Sequence, residues 1–159
     1  LQMFDASSMI NAWNNYPIEQ FPGLWEWMET QIRNGLLAMP SVALEEVEKK
    51  TPECGSWLAL VQLGAHDIDN AILSEALRMK SLLGIVGDKY GGGVGENDLL
   101  IIATAFVTGA EFVSDEKRQN NLPSSPYNYK IPAVCSLPDV AVPCVNFIEY
   151  LKRSQQVFR

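Results

Sequence analysis

No charged residue interrupts the chain from Leu99 to Val107. Asn97 to Thr108 is apolar on nearly every side of a helix, and such a helix has to be covered around most of its circumference. The run is far shorter than the ~20 residues that cross a bilayer, so it predicts a core helix and not a membrane span. Around it, short apolar strands at Leu1–Phe4, Leu36–Met39 and Glu111–Ser114 alternate with helices. The helical spacings fall at Met9–Trp13, Leu24–Asn34, Val42–Lys50, Ser56–Leu63, Asp69–Ile85 and Val145–Arg153. That alternation predicts an α/β domain with a largely parallel sheet. With 159 residues, no repeat and no linker, residues 1–159 read as a single domain.

Finer expectations follow from turn chemistry. Ser41 reads as the N-cap of the Val42–Lys50 helix, and Thr51-Pro52-Glu53 as its break. Leu73, Leu77 and Leu82 join Ile72, Ala76 and Leu83 in a broad apolar face. Gly91 to Gly95 reads as a flexible loop, and Val134 and Val140–Val142 as short strands. The aromatic stretch Phe21, Trp25, Trp27 suits either core or a homodimer face.

Charge and composition exclude several functions. The chain carries 12 Lys+Arg against 19 Asp+Glu, a net −7. That balance does not suit gripping nucleic acid over the whole surface by counterion release. It does suit an acidic site neutralised by a divalent cation. Three cysteines without a C-x-x-C form neither a disulfide framework nor a zinc ribbon, and read as buried reduced thiols of a cytoplasmic protein. No secretory signal pattern opens the chain, and no membrane partner is expected. His66 is the single histidine, so a His-rich zinc site is out, and it reads as a solvated or capping residue. The glycine loop lacks the G-K-[ST] of a phosphate-binding loop, and the G-x-G-x-x-G register from Gly91 ends on Glu96.

The acids at element ends are more informative. Ligands of parallel α/β sheets bind outside the carboxyl ends of the strands. Asp5 ends the first strand, Asp115 and Glu116 end the Glu111–Ser114 strand, and Asp98 opens the most buried helix. Each alone suits a helix cap or a solvated turn. Together they would repel one another and raise each other's pKa unless a cation sat among them. Oxygen-only ligands favour Mg²⁺ or Mn²⁺, which support phosphoryl chemistry without a histidine.

Here the chain resembles a known family. Phe4-Asp5-Ala6-Ser7-Ser8-Met9-Ile10 is similar to the opening D-x-S/T motif of PIN-domain nucleases. Pro40-Ser41-Val42-Ala43-Leu44-Glu45-Glu46-Val47 is similar to their second segment. Gly95-Glu96-Asn97-Asp98 through Ala105 resembles their G-x-x-D-x-x-I-A-x-A helix, and Phe112-Val113-Ser114-Asp115-Glu116 resembles their V-T-x-D/E strand end. Ile131–Cys135 and Val142–Asn146 resemble a bacterial PIN-like subfamily of VapC-like toxin type, DUF4411.

The resemblance implies a PIN-like three-layer sandwich and a metal-dependent endoribonuclease, the toxin of a toxin–antitoxin pair. It makes Asp5, Glu46, Asp98 and Glu116 the catalytic acids, with Ser7, Asn97 and Ser114 supporting them. Asp5 and Asp98 would hold the principal Mg²⁺ or Mn²⁺, and Glu46, rather than its neighbour Glu45, would orient the attacking water. Glu116 or Asp115 would complete the metal shell. Lys117 and Arg118 would touch the RNA backbone, and an antitoxin encoded nearby would be the protein partner. Two rivals stand beside this reading. A haloacid-dehalogenase-like phosphatase shares an early Asp but needs a second acid at the position of Ser7. A non-catalytic PIN-like scaffold would bind RNA or protein without cutting.

Overall fold

The computed structural model describes residues 1–159 as a five-stranded, all-parallel sheet flanked by helices, the PIN-like α/β sandwich. The first half runs β1 (Gln2–Phe4), α1 (Ala6–Asn15), α2 (Pro22–Arg33), β2 (Leu37–Pro40), α3 (Ser41–Lys50), α4 (Pro52–Leu60) and β3 (Ala65–His66). It continues through α5 (Asn70–Leu82), α6 (Glu96–Thr108), β4 (Glu111–Val113), α7 (Ile131–Cys135), β5 (Cys144–Val145) and α8 (Phe147–Ser154). The strand order is β3-β2-β1-β4-β5. The chain therefore builds outward from β1 to β3, then crosses back to lay β4 on the other side of β1. The gap between the carboxyl ends of β1 and β4 is the topological switch point of the sheet, where open α/β folds bind ligands.

The apolar helix behaves as its sequence requires. In α6, Leu99, Ile101, Ile102, Ala103, Thr104 and Ala105 are buried, and Gly109 ends it in the left-handed conformation. Met3, Phe4, Phe112 and Val113 of the two central strands are fully buried. Phe4 meets Phe147 and Tyr150 of α8 edge-on. Trp13, Trp25 and Trp57 cluster across α1, α2 and α4, and Trp27 packs on Tyr150 and Phe158. The two tryptophans of α2 are thus spent on internal packing, and only Phe21 of that stretch is exposed.

Several local expectations are corrected. Ser41 is the first residue of α3, and Pro40 stands at its cap position without a side-chain cap bond. Pro52 starts α4 instead of merely breaking α3, because proline is tolerated where the first N–H lacks a helical partner. Leu73, Leu77 and Leu82 are exposed; α5 buries only Ile72, Ala76 and Met79, a narrower stripe. His66 lies on the edge strand β3, while Asp69 caps α5 through the N–H of Ile72. Val134 belongs to α7, and Val140 and Val142 are buried without joining a ladder. The last strand is instead Cys144–Val145. All three cysteines are free, but Cys144 is only half-buried.

The glycine loop is tied down, not free. Val94 N–H donates to the Tyr129 carbonyl at 2.9 Å, and Gly92 N–H to Asn128 Oδ1 at 2.9 Å. A Cβ on Gly93 would stand 2.1 Å from the Tyr129 carbonyl oxygen. Only glycine permits that approach, which seats the start of α6. We expect Gly93→Ala to destabilise the fold by about 1–3 kcal/mol through overpacking. Gly64→Ala, which meets nothing within 4 Å, should be near neutral. Equal denaturant midpoints for the two variants would remove this role for Gly93.

Candidate active site

The residue that follows β1 is the one buried Asp or Glu of the molecule. Asp5 is 3% exposed. Its Oδ1 accepts the Ala6 N–H at 2.8 Å, and its Oδ2 accepts the hydroxyls of Ser7 at 2.9 Å and Ser114 at 3.0 Å. The two serines reach it from opposite sides of the switch point, one on α1 and one at the end of β4. Each hydroxyl also accepts a backbone N–H from the segment after β4, Asp115 on Ser7 and Glu116 on Ser114. The buried Ser8 hydroxyl bridges the carbonyls of Asp5 and Val113 at 2.9 and 2.8 Å. The strand ends are therefore locked together around one carboxylate. Burial pushes Asp5 up to about 6, the three hydrogen bonds oppose that, and the charge of Asp98 adds to it.

Asp98 stands in the first turn of α6, where its Oδ2 accepts the Gly95 N–H at 3.0 Å. The bond satisfies a helix-end donor and fixes the side chain near the sheet edge. Burial raises the Asp98 pKa; the Gly95 N–H opposes the shift, the Glu46 charge adds to it and Lys50 offsets it. Glu46 is half-buried while Glu45 is exposed, so Glu46 is the one of the pair that faces inward. Its Oε1 meets Lys50 Nζ at 2.5 Å. Glu116 and Lys117 are exposed beside Ser114.

Not every candidate is brought to this point. Both carboxylate oxygens of Asp115 are engaged away from Asp5: Oδ1 accepts the Phe147 N–H at 2.9 Å and Oδ2 the Asn11 amide at 3.2 Å. That fastens the end of β4 to α8 and α1, and leaves Glu116 as the acid of the pair without such a partner. Arg118 is paired with Glu149 at 2.7 Å. Asn97 is exposed on the first turn of α6 and makes no side-chain hydrogen bond within the protein. Two residues had no site role in the sequence reading. Ser8 lies one step beyond the quoted D-x-S/T signature, and Lys50 was legible only as i,i+4 helix support for Glu46.

The donor set fits a hard divalent cation. It offers only oxygens, and its central carboxylate is buried without an ion-pair partner of its own. As they stand, no three acidic, His or Cys side chains enclose a common ion position. Glu46 is turned to the ammonium of Lys50 instead.

The comparisons agree with this architecture. The chain is similar, over 92% of its length and 98% of the other's, to a chain in the crystal structure of VapBC2 from Rickettsia felis bound to a DNA fragment from their promoter; TM-score 0.56, identity 22%. It is likewise similar to a chain of DNA-bound VapBC from Salmonella typhimurium, covering 91% and 96%, with TM-score 0.56 and 18% identity. At such identities the likeness is one of fold. No curated protein matches the sequence. The family described as "Domain of unknown function (DUF4411)" matches residues 2–158. From Gln2 to Phe158, this chain belongs to the DUF4411 family.

Proposed function

We propose that this protein is an Mg²⁺- or Mn²⁺-dependent endoribonuclease, the toxin of a toxin–antitoxin pair. The observation that supports this reading is the junction of Asp5, Ser7 and Ser114 across the switch point, with Asp98 near enough for its charge to act on Asp5. Asp5 and Asp98 would hold the cation, and Glu116 would complete its shell. A divalent cation bound there supplies charge neutralisation for a phosphodiester and acidifies water for in-line attack. The chain's own residues do the rest. Ser7 and Ser114 fix the orientation of the Asp5 carboxylate. Glu46, once freed from Lys50, would orient the attacking water. Lys117 and Arg118 attract the RNA backbone, most readily a single-stranded or looped one whose phosphate can enter the site.

The phosphatase alternative gains no support here, because Ser7 fills the second-acid position and spends its hydroxyl on Asp5. The two solved chains of like fold belong to VapBC assemblies, which supports a protein partner of antitoxin type for this chain. A labelled RNA mixture tests the assignment. We expect cleavage with MnCl₂, none with excess EDTA, and no hydrolysis of a generic phosphomonoester. Intact RNA in both conditions would leave the scaffold reading in its place.

A further inference from the structure

Lys50 ends α3 one helical turn after Glu46, and its Nζ lies 2.5 Å from Glu46 Oε1. Its side chain is 62% exposed. An exposed pair of this kind is worth little, so the ammonium can leave Glu46 for another anion at small cost. What matters is its place, within hydrogen-bond reach of a half-buried acid of the candidate site. The hydrogen bond and charge of Glu46 raise the Lys50 pKa, and the charges of Glu116 and Asp5 add to the effect. The same ammonium offsets the charge felt by Asp98. The contact with Glu46 therefore sets one ammonium at the edge of the candidate site, where the charges of Glu116 and Asp5 act on it and Asp98 is offset by it. Arg118, by contrast, is paired with Glu149.

A cluster of carboxylates repels the phosphodiester it is meant to hold. An ammonium is a compact charge on a flexible four-carbon stem, able to pass from a carboxylate to a phosphate oxygen without moving the helix. We propose that Lys50 is a substrate-binding residue of the site: it neutralises Glu46 in the metal-free protein and passes to a phosphate oxygen of the bound RNA. This rests on the nuclease reading. It has two consequences of opposite sign. Without Lys50 the site is more negative, so a divalent cation binds tighter while RNA binds more weakly. A residue that merely supports α3 would change neither.

The experiment compares wild type, Lys50→Met, Lys50→Arg and Asp98→Asn, all as the full chain. MnCl₂ is titrated calorimetrically into metal-free protein, and steady-state cleavage of a labelled single-stranded RNA is measured separately. We expect Lys50→Met to bind Mn²⁺ roughly threefold to tenfold tighter, as loss of one nearby positive charge implies. Its KM for RNA should rise by about tenfold with kcat changed less, the mark of lost binding. Lys50→Arg should restore both values towards wild type. An unchanged or weaker Mn²⁺ affinity in Lys50→Met, or an unchanged KM, overturns the proposal. Absence of Mn²⁺ binding by wild type is a different outcome: it removes the nuclease reading itself, and this proposal with it.

Discussion

Asp98→Asn should abolish RNA cleavage while leaving the metal-free fold at least as stable as wild type. Asparagine keeps the shape of the side chain and an oxygen that can accept the Gly95 N–H, now made by Asp98 Oδ2 at 3.0 Å. The start of α6 is therefore retained. What is lost is a charge that burial and Glu46 make costly at neutral pH. Its removal should leave stability unchanged or raise it by about 1 kcal/mol. The metal response should move the other way. Stabilisation by a ligand follows RT ln(1 + [L]/Kd), about 2.7 kcal/mol at a hundredfold excess over Kd. That gain should largely vanish when a ligand is removed. Thermal melts of both proteins, with EDTA and with MnCl₂, check the prediction. If the two respond equally to Mn²⁺ and both cut RNA, Asp98 is a helix-end residue and nothing more.

The result bears on how much of the site was legible in the sequence. Asp5 and Asp98 could be placed because each sits where an apolar run changes period, from strand to helix or from loop to buried helix. Fixing them at element ends fixed them near the sheet edge. The sequence could not say how their carboxylates are satisfied. The hydroxyls on Asp5 come from residues 109 positions apart for Ser114 and two apart for Ser7, a closure that exists only once β1 and β4 pair. Only the family resemblance favoured Glu116 over Asp115, for a related reason. Which of them is engaged depends on the N-terminus of α8 reaching Asp115, and nothing near Asp115 in sequence announces that.

The missed strands have a different cause. β3 and β5 have two residues each and are defined by pairing with β2 and β4, not by any alternation of their own. Val140 and Val142 look more like strand residues by propensity, yet they pack into the core from a turn. Tertiary contact overrode local preference there. In α5 the error was one of width: Leu73 and Leu77 share the helix with the buried stripe but not its face.

Asp5 should give the metal-free protein an unusual pH dependence. Its carboxyl is pushed up to about 6 from an ordinary 3.8, first by burial. The folded state therefore holds the proton more tightly than the unfolded chain does. Stability from this group is fully present below the unfolded pKa and is lost as pH rises through the folded one, from about pH 4 to about pH 6. At 1.36 kcal/mol per unit, the swing is on the order of 3 kcal/mol at most. The comparison that isolates this group is wild type against Asp5→Asn. Asparagine can accept the Ala6 N–H and donate from its amide nitrogen to the hydroxyl oxygens of Ser7 and Ser114. With EDTA, Asp5→Asn should match or trail wild type near pH 4 and exceed it by ~2–3 kcal/mol at neutral pH. Mn²⁺ should reverse the order at neutral pH, because a cation favours the ionised carboxylate and only wild type offers one. Denaturant midpoints across this range decide the matter. A difference between the two proteins that stays constant with pH would mean that Asp5 is ionised in the folded state without strain, and that its hydrogen bonds alone suffice to hold the charge.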